Sequence, residues 1–175
     1  NAKLCSELGH NVEEIEINFQ AMDLAKAFLI LIACHTSQLL EELRVLKGKK
    51  YKNSELENTT RMLDYVGKSF SGYDYALARH TIQVISRRVV EQIESYDVVL
   101  SPVTSKPPAS IGSLRPKFTD ELLNSIVMTL KLGWIFRVPM IRDTILQKLA
   151  PENLWYSPDT LLQNATGQPA INVPS

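Results

Sequence analysis

At 175 residues with 45% hydrophobic content, the chain can bury a real core, and one domain or part of one is the simplest organisation. Its 19 basic and 19 acidic residues cancel, which removes the basic excess that nucleic acid or an anionic membrane surface would select, so neither is expected as a partner. The two cysteines, Cys5 and Cys34, belong to no paired spacing; neither a disulfide framework nor a zinc site is expected, both should be free thiols, and a reducing, cytoplasmic setting is the simpler expectation.

Ala2 to Leu8 reads as the last turns of a helix, with Gly9 as its C-cap and His10-Asn11 as the turn that follows. Because Asn1 is not a methionine and Ser175 follows a strand-like Ala-Ile-Asn-Val-Pro, the chain is read as a piece of a longer protein. Val12, Ile15 and Ile17, with glutamates between them, predict a short strand and hence a helix-to-strand unit of the α/β kind. Ala21 to Leu46 is helical in pattern, and Leu24 to Cys34 is apolar nearly all round, broken only by Lys26. Eleven apolar residues fall short of the roughly 20 that a bilayer span needs, so this helix should lie inside a larger fold or under a partner. Cys34 and His35, as helix neighbours, point to different sides and read as a packed thiol beside an edge histidine, not as a nucleophile and base.

Ser54-Glu55-Leu56-Glu57 has the form of a capping box opening a helix that runs to about Val66. Gly67 and Gly72 then bracket a turn. Ser71 or Gly72 opens the most regular helix of the chain, with an apolar stripe of Tyr75, Ala78, Ile82, Ile85, Val89 and Ile93, and with His80 off that stripe at the surface. Asp97 to Leu100 reads as a buried strand that Pro102 must end, since proline brings no N–H to a ladder; Pro107-Pro108 then stiffen the loop that leaves it. Such a loop, at the C-terminal end of a strand that follows a helix, lies where α/β sheets place their ligand crevice. Thr119 to Trp134 predicts a further helix, buried along Leu123, Ile126, Val127, Leu130 and Trp134. Arg137 to Ala150 predicts another helix or two, broken by Pro139, and 151–157 a loop anchored by Trp155 and Tyr156.

No phosphate-binding glycine loop, Gly-x-Ser-x-Gly elbow, His-Glu-x-x-His or cluster of metal-ligand spacing occurs in the sequence. Periodicity alone therefore reaches only a helix-rich α/β piece. Three motifs go further. Asn164-Ala165-Thr166-Gly167-Gln168-Pro169-Ala170, running on to Pro174, resembles the late turn of the amidase signature family, which feeds a strand ending in proline. Asp97-Val98-Val99-Leu100-Ser101-Pro102-Val103-Thr104, followed by Ile111-Gly112, is similar to that family's Asp-(apolar)-Leu-(Ser/Thr)-Pro-x-Thr strand, and Leu8-Gly9-His10-Asn11-Val12-Glu13-Glu14 resembles its Leu-Gly-His-x-Val-Glu-Glu turn. They stand in the family's order from one end of the chain to the other.

The resemblance implies the C-terminal part of an amidase domain over 1–175, in an α/β mixed-sheet fold with about three short strands (Val12 to Ile17, Asp97 to Leu100, Ala170 to Val173) covered by helices. In that family a lysine, a cis-configured serine and a nucleophilic serine cleave a carboxamide C–N bond through an acyl-serine, the serines lying in a Gly- and Ser-rich stretch whose backbone N–H groups hold the oxyanion. This sequence has no such stretch; Ser69-Phe70-Ser71-Gly72 lacks its glycines, so no catalytic residue is expected in this span. What the span would supply is scaffold and one wall of the acyl-binding pocket, with Thr104, Pro107, Asn164, Thr166 and Gly167 as candidate substrate-binding residues. No cofactor or metal is implied. The partner of the intact enzyme would be a small amide, and Gly-Gln-Pro-Ala leans toward the stand-alone amidases of the family. The incomplete sheet and the apolar helix lead to an expectation of self-association. An alternative from another class is a non-catalytic helical module that binds or scaffolds a protein partner through Leu24 to Cys34.

Overall fold

The computed structural model describes residues 1–107, 110–111, 138–144, 146–147 and 158–173. The helices are α1 (Ala2–Glu7), α2 (Ala21–Lys47), α3 (Asn58–Gly67), α4 (Gly72–Ile93) and α5 (Pro158–Thr166), with a 3₁₀ turn at Asn53–Glu55 and helical turns at 139–144.

Helix α4 begins where its cap says it must. Ser71 Oγ accepts the Asp74 N–H at 3.1 Å while Asp74 Oδ2 accepts the Ser71 N–H at 2.8 Å, a reciprocal pair that satisfies two donors left free at a helix start. Its stripe of Ala78, Ile82, Ile85, Val89 and Ile93 is buried as the period predicts, and His80 is exposed. Ala78, Ile82, Ile85 and Val89 of that stripe meet Leu24 and Ala27 of α2 and Leu162 of α5 to form the main core. A second side of α2, Ala25 and Leu29, packs on Leu146. A third, at Ala33, packs on Val66 of α3.

Helix α2 is thus the hub. Its 27 residues are long and apolar enough to cross a membrane by length and composition, more than the eleven-residue count suggested. Protein nevertheless covers it on three sides, and Leu24, Ala25, Ala27, Leu29 and Ala33 are buried. The cover is partial, since Met22, Ile32, Leu39 and Leu43 stay exposed. Helix α3 approaches α2 so closely at Gly67 that a Cβ there would overlap the Ala33 carbonyl oxygen and stand 2.5 Å from Ser37 Oγ. Glycine is therefore required by space, and Ser37 Oγ uses the proximity to donate to the Asp64 carbonyl at 2.8 Å.

Several expectations are corrected. The mixed sheet is not there: among the described residues no strand occurs, at Val12 to Ile17, Asp97 to Leu100 or Ala170 to Val173. Alternating or clustered β-branched residues make a strand only when a neighbour takes up their N–H and C=O groups, and the elements around these segments are helices, which have no ladder to offer. Most of their apolar side chains are accordingly exposed, Val98 at 73% and Ile171 at 88%, while Ile17 and Val99 are partly buried. The nearest thing to a partner is the Gln92 side chain, whose amide accepts the Asn18 N–H at 2.9 Å and donates to the Asn18 carbonyl at 3.0 Å. The capping box at Ser54 and Glu57 does not form; Glu55 turns back to the Lys52 N–H and to the Lys47 ammonium, so α3 starts only after Glu57. Pro139 stands at the first residue of the 139–144 helical stretch and opens it, as a residue without an N–H can where that donor would be unused. The expected helix over 119–134 and the aromatic loop of 151–157 lie outside the described residues.

The end of α1 follows the sequence. His10 N–H reaches the Cys5 carbonyl at 3.1 Å and Gly9 N–H the Ser6 carbonyl at 3.0 Å, the paired bonds of a glycine-terminated helix.

Candidate functional site

The closing motif was expected as a turn; its first three residues, Asn164 to Thr166, prove to be the end of a helix, and the turn follows at Gly167. Helix α5 starts at Pro158, proline being suited to a first helical position. Leu162 is buried in the α2–α4 core, and Ser86 Oγ of α4 donates to the Ala165 carbonyl at 2.8 Å, which ties the end of α5 down. Gly167 then takes φ +70°, a backbone region that costs glycine little, and its N–H closes on the Gln163 carbonyl at 3.0 Å. Thr166 Oγ1 donates to the same carbonyl at 3.3 Å.

Between α2 and α5 this arrangement leaves a groove of about 170 Å³, lined by Ala25, Phe28, Leu29 and Ile32 on one side and Thr160, Leu161 and Asn164 on the other. Positions 25, 28, 29 and 32 are one face of α2 by helical spacing. The groove is apolar along its length and amide-bearing at Asn164, whose Nδ2 donates to the Thr160 carbonyl at 3.0 Å. Chemically it can take a small apolar group beside a hydrogen-bonding carboxamide.

The five residues singled out from the sequence fall into three places. Asn164 lines the groove. Thr166 and Gly167 shape the turn that ends α5. Thr104 and Pro107 lie in the exposed loop after α4, where Thr104 Oγ1 donates to the Lys106 carbonyl at 3.0 Å, and they do not line the groove. Sequence reasoning missed Phe28, Ile32 and Thr160. The signal was present, because Thr160 and Asn164 are four apart, but it is visible only once 158–166 is read as helix.

A second cluster lies where α2, α4 and the 138–144 segment meet. Arg142 bonds Asp74 Oδ2 at 3.3 Å and its guanidinium lies 4.8 Å from the centre of the Phe70 ring. The Ser71 backbone N–H, with Ser71 Oγ and Arg142 adding, holds the Asp74 carboxyl below its ordinary range against some desolvation. Burial, with the Asp74 charge adding, pushes the Cys34 thiol up, so it stays protonated and makes a poor nucleophile; its Sγ lies 3.8 Å from the Gly67 carbonyl. His35 Nε2 instead meets Tyr75 OH at 3.2 Å, as the reading of two different helix sides anticipates, and both cysteines are free. The hydroxyls of Ser37, Ser69 and Ser86 are donated to main-chain carbonyls and that of Ser71 to Asp74.

Residues 1–141 match the family model described as Amidase, a span that contains the Leu8 to Glu14 and Asp97 to Thr104 motifs. Over 175 aligned residues the chain is 23% identical to "Putative amidase AmiC" of Mycobacterium leprae (strain TN), covering 99% of this chain and 31% of that protein. The chain thus spans under a third of the length of this relative. No solved structure matches it. With well over half of its residues inside the family match, the chain belongs to the amidase family.

Proposed function

We propose that this chain is the C-terminal part of an amidohydrolase that cleaves a carboxamide C–N bond through an acyl-serine, with the lysine and two serines of the reaction outside residues 1–175. The observation that carries the reading is the groove between α2 and α5: an apolar slot with Asn164 of the family-like closing motif on its wall. In the intact enzyme it forms part of the acyl-binding pocket, the apolar face of α2 taking the acyl chain and Asn164 its polar end. Thr166 and Gly167 end the helix that forms one side of the wall, and Thr104 and Pro107 complete it when the loop after α4 closes on it in the intact enzyme. The substrate is a small amide of the kind used by stand-alone amidases, the setting is cytoplasmic, and no cofactor takes part.

The chain by itself is inactive, because the sequence holds no glycine-rich serine stretch to cradle an oxyanion. Incubation with a generic amide or ester and with a serine-directed fluorophosphonate should give no turnover and no label. Turnover abolished by labelling of one serine within 1–175 would overturn the reading. The same exposed apolar side chains, Met22, Ile32, Leu39 and Leu43 on α2 with Val98, Leu100 and Ile171 elsewhere, make the isolated chain self-associate, and sedimentation should find dimers or larger species. A monomer at all concentrations would count against it.

A further inference from the structure

The C-terminal half of α2, the loop that joins it to α3, and α3 with the residue after it enclose a cleft of about 560 Å³, whose lining includes Arg44, Lys50, Tyr51, Arg61, Tyr65 and Lys68. That volume lies within the range of small-molecule sites. Its electrostatics are unbalanced in a definite way. Four cations, Arg44, Lys50, Arg61 and Lys68, face two carboxylates, each of which already holds a cation nearby in sequence, with Asp64 Oδ1 left buried and without a hydrogen-bond partner. Glu41 is gripped by the Arg44 guanidinium through both oxygens. Asp64 Oδ2 accepts from Lys68 at 2.7 Å. Lys50 and Arg61 are left with no carboxylate partner among the described residues; Arg61 makes only a long bond of 3.3 Å to Asn58 Oδ1. Lys47, at the rim, is committed to Glu55 and lies over the Tyr51 ring.

We infer that this cleft binds a small dianionic oxyanion, a phosphate monoester or a dicarboxylate, through Lys50 and Arg61, with the hydroxyls of Tyr51 and Tyr65 as further donors. Two surplus positive charges match a dianion. A guanidinium offers two parallel N–H donors to such a group and an ammonium a mobile third. Half-burial of Arg61, Tyr51 and Tyr65 strengthens these contacts over those of freely solvated side chains. The Arg44 guanidinium first, and the Lys68 and Lys50 charges further out, hold the Glu41 carboxyl below its ordinary range. The cleft shares no lining residue with the groove between α2 and α5, so the inference does not depend on the proposed amidase role.

Calorimetric titration of the full 175-residue chain with inorganic phosphate and with succinate, at low salt and pH 7.5, reads the site directly. Saturable binding of one ligand per chain is expected, weakening as salt is raised, with chloride and acetate failing to compete at the same concentrations. Arg61→Gln and Lys50→Gln should each weaken binding about tenfold, while circular dichroism remains that of the unaltered chain. Tighter phosphate identifies a phosphate monoester as the natural ligand, and tighter succinate a dicarboxylate. Absence of saturable binding overturns the inference, as does binding that both variants retain in full.

Discussion

The helical core and the segments that connect it follow opposite rules. In α4 the apolar residues recur at three or four, and the chain itself supplies what they need, since α2 and α5 close over Ala78, Ile82, Ile85 and Val89. In residues 11–20, 97–107 and 168–173 the apolar residues cluster or alternate as in a strand. Among the described residues no strand pairs with them, and it is the Gln92 side chain that takes up the backbone groups of Asn18, while Val98, Leu100 and Ile171 stand exposed. A helix satisfies its own hydrogen bonds and asks the rest of the chain only for a face; a strand asks for a face and a ladder. The first demand can be met by part of a domain, whereas the second depends on chain that is far away in sequence.

Leu24 and Leu100 make the sharpest test, because they are the same side chain in the two regimes. Leu24 is fully buried, at 0% exposure, and Leu100 is 54% exposed. Leu24→Ala should cost about 3 kcal/mol, the lost transfer energy plus the cavity left behind. Leu100→Ala should fall within about 0.5 kcal/mol of zero. Urea unfolding followed by circular dichroism compares the two, and equal losses would break the distinction.

Next in size is Gly67→Ala. The added Cβ would overlap the Ala33 carbonyl oxygen, a main-chain atom that cannot swing aside, so α3 must move off α2. Overpacking of this kind costs about 1–3 kcal/mol, with helix propensity returning part of it. A thermal midpoint unchanged or raised in Gly67→Ala would show that the two helices leave room for a methyl group at position 67.

What could be read from the residues divides along the same line. The α4 stripe, the Ser71 start, the Gly9 stop and the hub helix were all legible, since each rests on local chemistry within a turn or two. The strands were not, because Val12 to Ile17 and Asp97 to Leu100 specify a tendency whose outcome is decided by partners. The capping box at Ser54 failed for a related reason: Glu55, one residue away from the pattern, had a better partner in Lys47, eight residues back. Within the groove, Asn164 came from the family resemblance and not from periodicity. Phe28 and Ile32 were hidden in a helix so apolar that no one face stood out.

A smaller effect belongs to the cap that starts α4. The depressed Asp74 carboxyl means that Asp74 stabilises the fold while ionised; its contribution is present above the ordinary carboxylate range and is lost as pH falls through its lowered folded value. Asp74→Asn should therefore flatten the loss of stability on acidification below about pH 4. At neutral pH, Ser71→Ala should cost about 1 kcal/mol, the usual worth of an N-cap. A parallel pH profile in Asp74→Asn and the unaltered chain would remove Asp74 from that role.

The least costly change bears most directly on the comparison, because Gln92 is where the two regimes touch. Its side-chain amide takes both backbone groups of Asn18, at 2.9 and 3.0 Å, and a further bond runs from Nε2 to the Arg88 carbonyl. A helix residue here does for one residue of the connecting segment what a neighbouring strand would do for a whole row. Tyr96 adds a second tether through its hydroxyl to Glu13, 3.1 Å away, and Ile17 and Phe19 rest against the core on either side of Asn18. Gln92→Ala removes the surrogate ladder but leaves the apolar contacts, and since Asn18 is exposed, water replaces most of what is lost. Global stability should fall by about 0.5–1 kcal/mol, whereas exchange of the Asn18 amide hydrogen should accelerate toward that of an open chain, with the amides of α4 unaffected. Unchanged exchange at Asn18 would mean that Ile17 and Phe19 alone hold the segment, and that packing without any ladder is enough to fix it.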